Sequence, residues 1–289
     1  MIASSPGHQH PAPGKVRPVG IPDYTAVLDL LYRDPVAALP VASAVTEHGL
    51  DSATLGHEIW GYEVGGRLEA LLSCGVTMMP VAAGPAALDA FAVALAGPRR
   101  CSSLIGPRDA VLGLWRRLAH QDSATWSRPL TVRECQPVLV IDHGPFAVPD
   151  GRVQVVPTRF LQSYYEASVA MYHEEVSAVP GEPGAGYHAH VARLMTKQLT
   201  YGIVEGGRVV FKTDVVAATK YVCQIGGVWL DPGRRGHGLA ASAVAGVVHL
   251  VRQRWPAVSL YVNDFNAAAR ATYARVGFRQ VGEYATVMY

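Results

Sequence analysis

The sequence has little that would place it in a membrane or around a metal. No apolar run approaches the roughly 18 residues that cross a bilayer. The stretch Ala86 to Ala96 is broken by Asp89, and Leu239 to Val251 is broken by Ser242, Gly246 and His249. The first 20 residues are polar and proline-rich and lack the apolar core of a secretory signal, so a cytoplasmic location is expected. The four cysteines, Cys74, Cys101, Cys135 and Cys223, form no C-x-x-C pair and have no histidine at zinc-finger spacing. Neither a disulfide framework nor a structural zinc site is expected, and the thiols should be reduced. His188-x-His190 has no third ligand nearby, so no metal is expected there either.

With 49% hydrophobic and 17% charged residues, the composition excludes a disordered, collagenous or coiled-coil chain. A length of 289 residues suggests two domains. The net charge of +2 is unevenly divided. Up to Asp150 there are 11 Lys and Arg against 14 Asp and Glu, net −3; after it there are 14 against 9, net +5. The second part is therefore the better candidate for an anionic ligand. Its arginines do not form a run interleaved with aromatics, so nucleic acid is not an expected partner.

The segment His143 to Gly151 carries two prolines and two glycines between the β-like runs Pro137 to Ile141 and Arg152 to Val156, and reads as a linker. The expected organisation is a disordered tail over 1–22, a domain over 23–150 and a second over 151–289. A faint repeat relates the two. Tyr62 to Leu68 resembles Ile203 to Val209, each a strand-like run, a Gly-Gly turn and another apolar run. In each part a later strand reaches a proline (Pro80, Pro232), an Ala-rich helix follows, and a short strand (Cys101 to Ile105, Val258 to Val262) leads into another helix. The second part predicts strand 152–156, helices 158–170 and 187–197, hairpin 199–205 with 208–217 and strand 222–230. Helix 238–254, strand 258–263, helix 266–276 and strand 278–288 follow. Each half is then α/β or α+β, with helices covering a mixed sheet.

The chemistry concentrates between Val228 and Ala241. A strand ends through Val228, Trp229 and Leu230, and a turn containing Arg235, Gly236, His237 and Gly238 follows. A helix then begins with Leu239, Ala240 and Ala241. The first amides of a helix have no intrahelical partner and sit at the positive end of its dipole, so this turn can cradle phosphate oxygens. There is no G-x-x-x-x-G-K-[ST]. Gly236-x-Gly238-x-x-Ala241 satisfies a dinucleotide fingerprint. Five residues, however, separate the strand from its first glycine, and only 48 residues follow Ala241, too few for the rest of such a domain.

Arg235-x-x-Gly238-x-Ala240 after Leu230-Asp231-Pro232 resembles the [RQ]-x-x-G-x-[GA] acetyl-CoA motif of the GNAT superfamily of N-acetyltransferases. The stretch from Leu260 to Phe278 resembles that family's next motif, with Asn266, Ala269, Tyr273 and Gly277-Phe278 in place. The resemblance covers about residues 152 to 289 and extends to an actinobacterial subgroup with an extra N-terminal domain. It implies a GNAT fold in the C-terminal half, a degenerate GNAT-like N-terminal half, and transfer of acetyl from acetyl-CoA, used as a co-substrate, to an amine of a small molecule or peptide. Asn266 would hydrogen-bond the pantetheine arm or the phosphate side of the cofactor, and Tyr273 would protonate the departing thiolate. For the general base, Asp214 is the first choice, ahead of Glu174, Glu175 and His237. A CoA-binding or ligand-sensing module without turnover is the alternative. At the place matching Pro232 onward the first half reads Pro80-Val81-Ala82-Ala83-Gly84-Pro85, with no arginine and a proline that removes an amide donor, so its cradle is expected to be lost.

Overall fold

A computed structural model describes residues 14–175 and 186–289. The N-terminal half comprises β1 (Lys15–Pro18), α1 (Tyr24–Leu31), α2 (Leu39–His48), α3 (Ser52–Leu55), β2 (Ile59–Val64), β3 (Arg67–Cys74) and β4 (Thr77–Val81). It continues with α4 (Pro85–Ala94), β5 (Ser103–Pro107), α5 (Arg108–Gln121), α6 (Ser123–Trp126) and β6 (Thr131–Ile141). The C-terminal half opens with β7 (Gln154–Val155), α7 (Leu161–Glu175), α8 (Gly186–Thr196), β8 (Thr200–Glu205) and β9 (Arg208–Ala218). It closes with β10 (Val222–Leu230), α9 (Leu239–Val251), β11 (Ala257–Tyr261), α10 (Ala267–Val276) and β12 (Arg279–Met288).

All twelve strands form one sheet in the order β1-β2-β3-β4-β5-β12-β6-β11-β10-β9-β8-β7. Read inward from its two ends, the sheet has the same succession twice, which gives the faint sequence repeat its structural meaning. The hairpins agree in detail. Gly65 and Gly66 turn at φ of 57° and 80°, and Gly206 and Gly207 at 55° and 81°, the paired left-handed conformation of a two-residue hairpin turn.

At the centre the halves exchange strands. β6, which ends the first half, pairs with β11 from Val258↔Ile141 to Tyr261↔Val138. β12, which ends the second, pairs with β5 from Tyr284↔Pro107 to Met288↔Ser103. The two also pair with each other along most of their length. Pro137 is expected only where a ladder is irregular, and it lies opposite Glu283 between two register shifts of the β6–β12 pairing.

The prolines predict disorder through Pro22, and here the structure differs. Residues 1–13 lie outside the described residues, but Lys15–Pro18 is a strand on the sheet edge, paired from Lys15↔Glu63 to Pro18↔Trp60. Arg17 holds it, bonding Asp23 at 2.8 and 2.9 Å and Glu63 at 2.8 Å. A proline at the end of an edge strand leaves no ladder bond unmade.

Helix α9 is apolar nearly all round and is buried over most of its length from Ala241 to Val251, with His249 exposed. Gly246 lets it approach the linker, since a Cβ there would stand 2.8 Å from the carbonyl oxygen of Asp150. The four cysteines are free thiols, Cys101 and Cys223 buried and Cys74 and Cys135 half-buried. Among the described residues no helix is long and apolar enough to cross a membrane, and no group of His, Cys, Asp and Glu could hold a metal ion.

Cutting the chain at residue 150 leaves β11 and β12 without the strand between them. Residues 151–289 expressed alone should therefore fail to give the dispersed amide NMR spectrum of a folded protein, whereas the two halves produced together should reassemble. A natively folded 151–289 fragment would contradict the exchange.

Candidate functional site

Strands β10 and β11 start side by side and then separate. They pair in parallel only at Val222↔Ala257, Cys223↔Val258 and Gln224↔Ser259. Beyond Gln224, β10 keeps β9 on one side and has no strand on the other, which opens a V in the sheet. Within the V, β10 bulges between Gly226 and Trp229, and Gly227 takes a left-handed φ of 58°. Bulges re-aim backbone groups next to functional sites. Val228, Trp229 and Leu230 thus lie on a strand edge whose backbone donors and acceptors face the opening.

The turn Asp231 to Gly238 caps the V and leads into α9. Gly236 (φ 82°) and Gly238 (φ 77°) both adopt the left-handed conformation that other residues resist. Residues 232–238, His237 among them, are exposed. The amides at the start of α9, in Leu239, Ala240 and Ala241, lack partners in the helix and point toward the turn. Arg235 does not extend freely into solvent. Its Nε and Nη2 donate to the carbonyl of Leu230 at 3.0 and 2.9 Å, and Nη2 meets both carboxylate oxygens of Glu174 at 2.9 Å. Glu174 also accepts the indole N–H of Trp229 at 3.1 Å. The end of α7 is thereby tied to the cradle.

On the other arm of the V, α10 begins and ends as its sequence predicts. Asn266 Oδ1 accepts the amide of Ala269 at 3.1 Å, and Gly277 closes the helix at φ 110°, donating to Tyr273 and Ala274. Tyr273 is buried, with its ring centroid 5.8 Å from that of Phe278. Burial, and secondarily Glu175, push its hydroxyl well above the ordinary phenol value, so it stays protonated.

Asp214 lies on β9 opposite Gly226. Its carboxylate is taken on both oxygens, Oδ2 by the Lys212 ammonium at 2.6 Å and Oδ1 by the Tyr164 hydroxyl at 2.7 Å. Lys212 is fully buried and also reaches Ser168 at 3.2 Å. A Cβ on Gly227 would stand 3.1 Å from both Asp214 Oδ2 and Lys212 Nζ, so only glycine lets the bulge pass over this pair. Lys212, Tyr164 and Ser168 did not figure among the expected site residues. The signal was present in their spacing: Lys212 and Asp214 share one face of a strand, and Tyr164 and Ser168 share one face of a helix. Their convergence needs the fold.

The N-terminal half repeats the V but not the cradle. β4 and β5 pair only at Thr77↔Ser103 and Met78↔Leu104 before separating. The turn from β4 to α4 is only Ala82, Ala83 and Gly84, and Pro85 starts the helix. A cavity of about 370 Å³ beside this turn is lined by Arg33, Asp34 and Asp109, and an adjoining one of about 480 Å³ by Asp34, Arg108, Asp109 and Glu283. With Pro85 at the helix start one amide donor is missing, which makes this turn a poorer anion site than its counterpart.

Two family models match the chain: FR47-like protein over residues 200–287, and a domain of unknown function, DUF4081, over residues 57–164. No curated protein matches. Solved structures match over nearly the whole length. A GCN5-related N-acetyltransferase from Sphaerobacter thermophilus is 19% identical, with TM-score 0.60 and 96% of each chain covered. A tandem GNAT protein from the clavulanic acid biosynthesis pathway is 15% identical, with TM-score 0.55, covering 96% of this chain and 98% of its own. A GNAT-family acetyltransferase from Colwellia psychrerythraea is 12% identical, with TM-score 0.56, covering 95% and 99%. The chain has the GNAT fold in tandem form.

Replacing Asp214 by Ala leaves the buried Lys212 ammonium without its counter-charge. Breaking a buried pair in this way costs about 3 to 5 kcal/mol, so urea denaturation should show a loss of stability of that order; a loss below about 1 kcal/mol would mean the pair is not buried in solution.

Proposed function

We propose that the C-terminal half transfers an acetyl group from acetyl-CoA to a primary amine of a small molecule or peptide. The observation that carries this reading is the V between β10 and β11, closed at one end by a turn whose glycines hold left-handed φ and whose following helix offers free amides. The cradle suits the pyrophosphate, the free edge of β10 at Val228, Trp229 and Leu230 suits the amides of the pantetheine arm, and Asn266 and Tyr273 approach from α10. Arg235, held by Leu230 and Glu174, adds positive charge beside the phosphates.

Attack is direct. The amine nitrogen bonds to the thioester carbon, the C–S bond breaks, and Tyr273 gives its proton to the departing sulfur. An acyl-enzyme would need a reactive thiolate, and the cysteines are poor candidates. Burial pushes the thiols of Cys74 and Cys223 up to about 12, and those of Cys101 and Cys135 also lie above their ordinary value. Asp214, the first choice of base, has both oxygens engaged and is assigned here to holding β9 beneath the bulge.

Two measurements test the reading. Acetyl-CoA or CoA should raise the melting temperature and NAD should not, with calorimetry giving one site per chain and Arg235→Ala weakening binding by about 1 to 3 kcal/mol. Equal stabilisation by NAD would reject the assignment. In a screen of primary amines with free-thiol detection, Tyr273→Phe should bind acetyl-CoA as the parent does and turn over about 10²- to 10⁴-fold more slowly; undiminished turnover would remove Tyr273 from the mechanism.

A further inference from the structure

The C-terminal end of α7 crosses the mouth of the V. On the β10 side, Glu174 bonds Trp229 and Arg235. On the far side, beyond β11, Nη2 of Arg133 on β6 donates to the backbone carbonyl of Glu175 at 2.5 Å. Glu175, whose own carbonyl makes the second tie, follows Glu174 directly, and its charge acts on Tyr261 of β11 and Tyr273 of α10, on the other arm of the V.

We infer that Glu175 is the general base that takes the proton of the acceptor amine, and that Arg133, from the N-terminal half, positions it. The inference rests on acetyl transfer in the C-terminal half. As the C–N bond forms, the nitrogen's proton passes to a Glu175 carboxylate oxygen; the C–S bond breaks, and the sulfur takes the Tyr273 proton. Exchange with water restores both residues.

The other carboxylates near the V are committed, Asp214 to Lys212 and Tyr164, and Glu174 to Arg235 and Trp229. Among the described residues the Glu175 carboxylate accepts no hydrogen bond and joins no ion pair, and solvent can reach it. Its carboxyl feels the charges of Arg133 of β6, Lys212 of β9 and Glu174 beside it, and its own charge acts on Tyr261 of β11, Tyr273 of α10 and Tyr187 of α8. Loss of hydration outweighs the two cations and holds its carboxyl above the ordinary value of 4.5, the direction that makes a carboxylate a stronger base. The raised value also means that the folded state binds the Glu175 proton more tightly than the unfolded chain. Its ionised form therefore opposes folding as pH rises through the folded pKa.

The full-length protein and its Glu175→Gln, Glu175→Asp, Arg133→Ala and Arg133→Lys variants test this. Calorimetry with acetyl-CoA comes first: equal affinity in the parent and in Glu175→Gln is expected, and no binding by the parent would reject acetyl transfer itself. With ethanolamine, putrescine and glycinamide as acceptors, Glu175→Gln should lose about 10²- to 10⁴-fold in kcat. It should also lose the fall of kcat/KM on the acid side, while its melting temperature at neutral pH is no lower than the parent's. Glu175→Asp should recover part of the rate. Arg133→Ala should lower kcat without changing acetyl-CoA affinity, and Arg133→Lys should restore much of it. Independently of any acceptor, carbon-13 NMR of labelled glutamate should show one carboxyl, absent in Glu175→Gln, titrating above the ordinary value. Titration at or below that value, or an unchanged acid limb in Glu175→Gln, would overturn the assignment.

Discussion

The exchange of β6 and β12 at the middle of the sheet is the contact on which the other features depend. Val138, Leu139, Val140 and Ile141 of β6 are buried, as are Tyr284, Ala285 and Val287 of β12. A polar chain runs through the same place. Thr286 donates to Gln136 at 2.6 Å, and Gln136 donates to Asn263 at 2.9 Å, on the turn that precedes α10. Every member of that chain is satisfied, which a buried polar group requires if it is to specify a structure rather than weaken one. Neither half completes its sheet alone, and the approach to α10 is held by a residue of the other half.

The two copies of one architecture differ most plainly at one connection. In the C-terminal half, β10 reaches α9 through Asp231 to Gly238, with two left-handed glycines and Arg235. In the N-terminal half, β4 reaches α4 through Ala82 to Gly84, followed by a proline. The first arrangement leaves helix amides free at the positive end of a dipole, where an anion is stabilised. The second removes a donor. The charge imbalance between the halves is the same difference on a larger scale.

The floor and the mouth of the V are built from ion pairs of different burial. Below the bulge, Lys212 and Asp214 are out of water, and the strength of their attraction comes with a need for complete pairing. Above it, Arg235 and Glu174 meet at the half-exposed surface, where solvent screens the pair and its worth is mainly positional.

Much of the C-terminal half was legible in the sequence because its signals are local. Strand 222–230, the hairpin and α10 with its Asn266 cap and Gly277 terminus follow from periodicity, glycine turns and capping, each set within a few residues. The turn before α9 was legible too, since positive φ at Gly236 and Gly238 is a property of glycine itself. The length of β6 was not: Thr131 to Gln136 carry no clear alternation and become a strand because β12 supplies a partner 150 residues away in the chain. β1 was hidden in the same way by its prolines. The fates of the carboxylates were the least legible. Asp214, Glu174 and Glu175 are all carboxylates in the sequence, and tertiary structure alone buries the first against Lys212, pins the second to Arg235 and, among the described residues, leaves the carboxylate of the third without a hydrogen bond or ion pair. Hydration and partnership decide what a carboxylate does, and both are set by residues distant in sequence that only the closed sheet brings near.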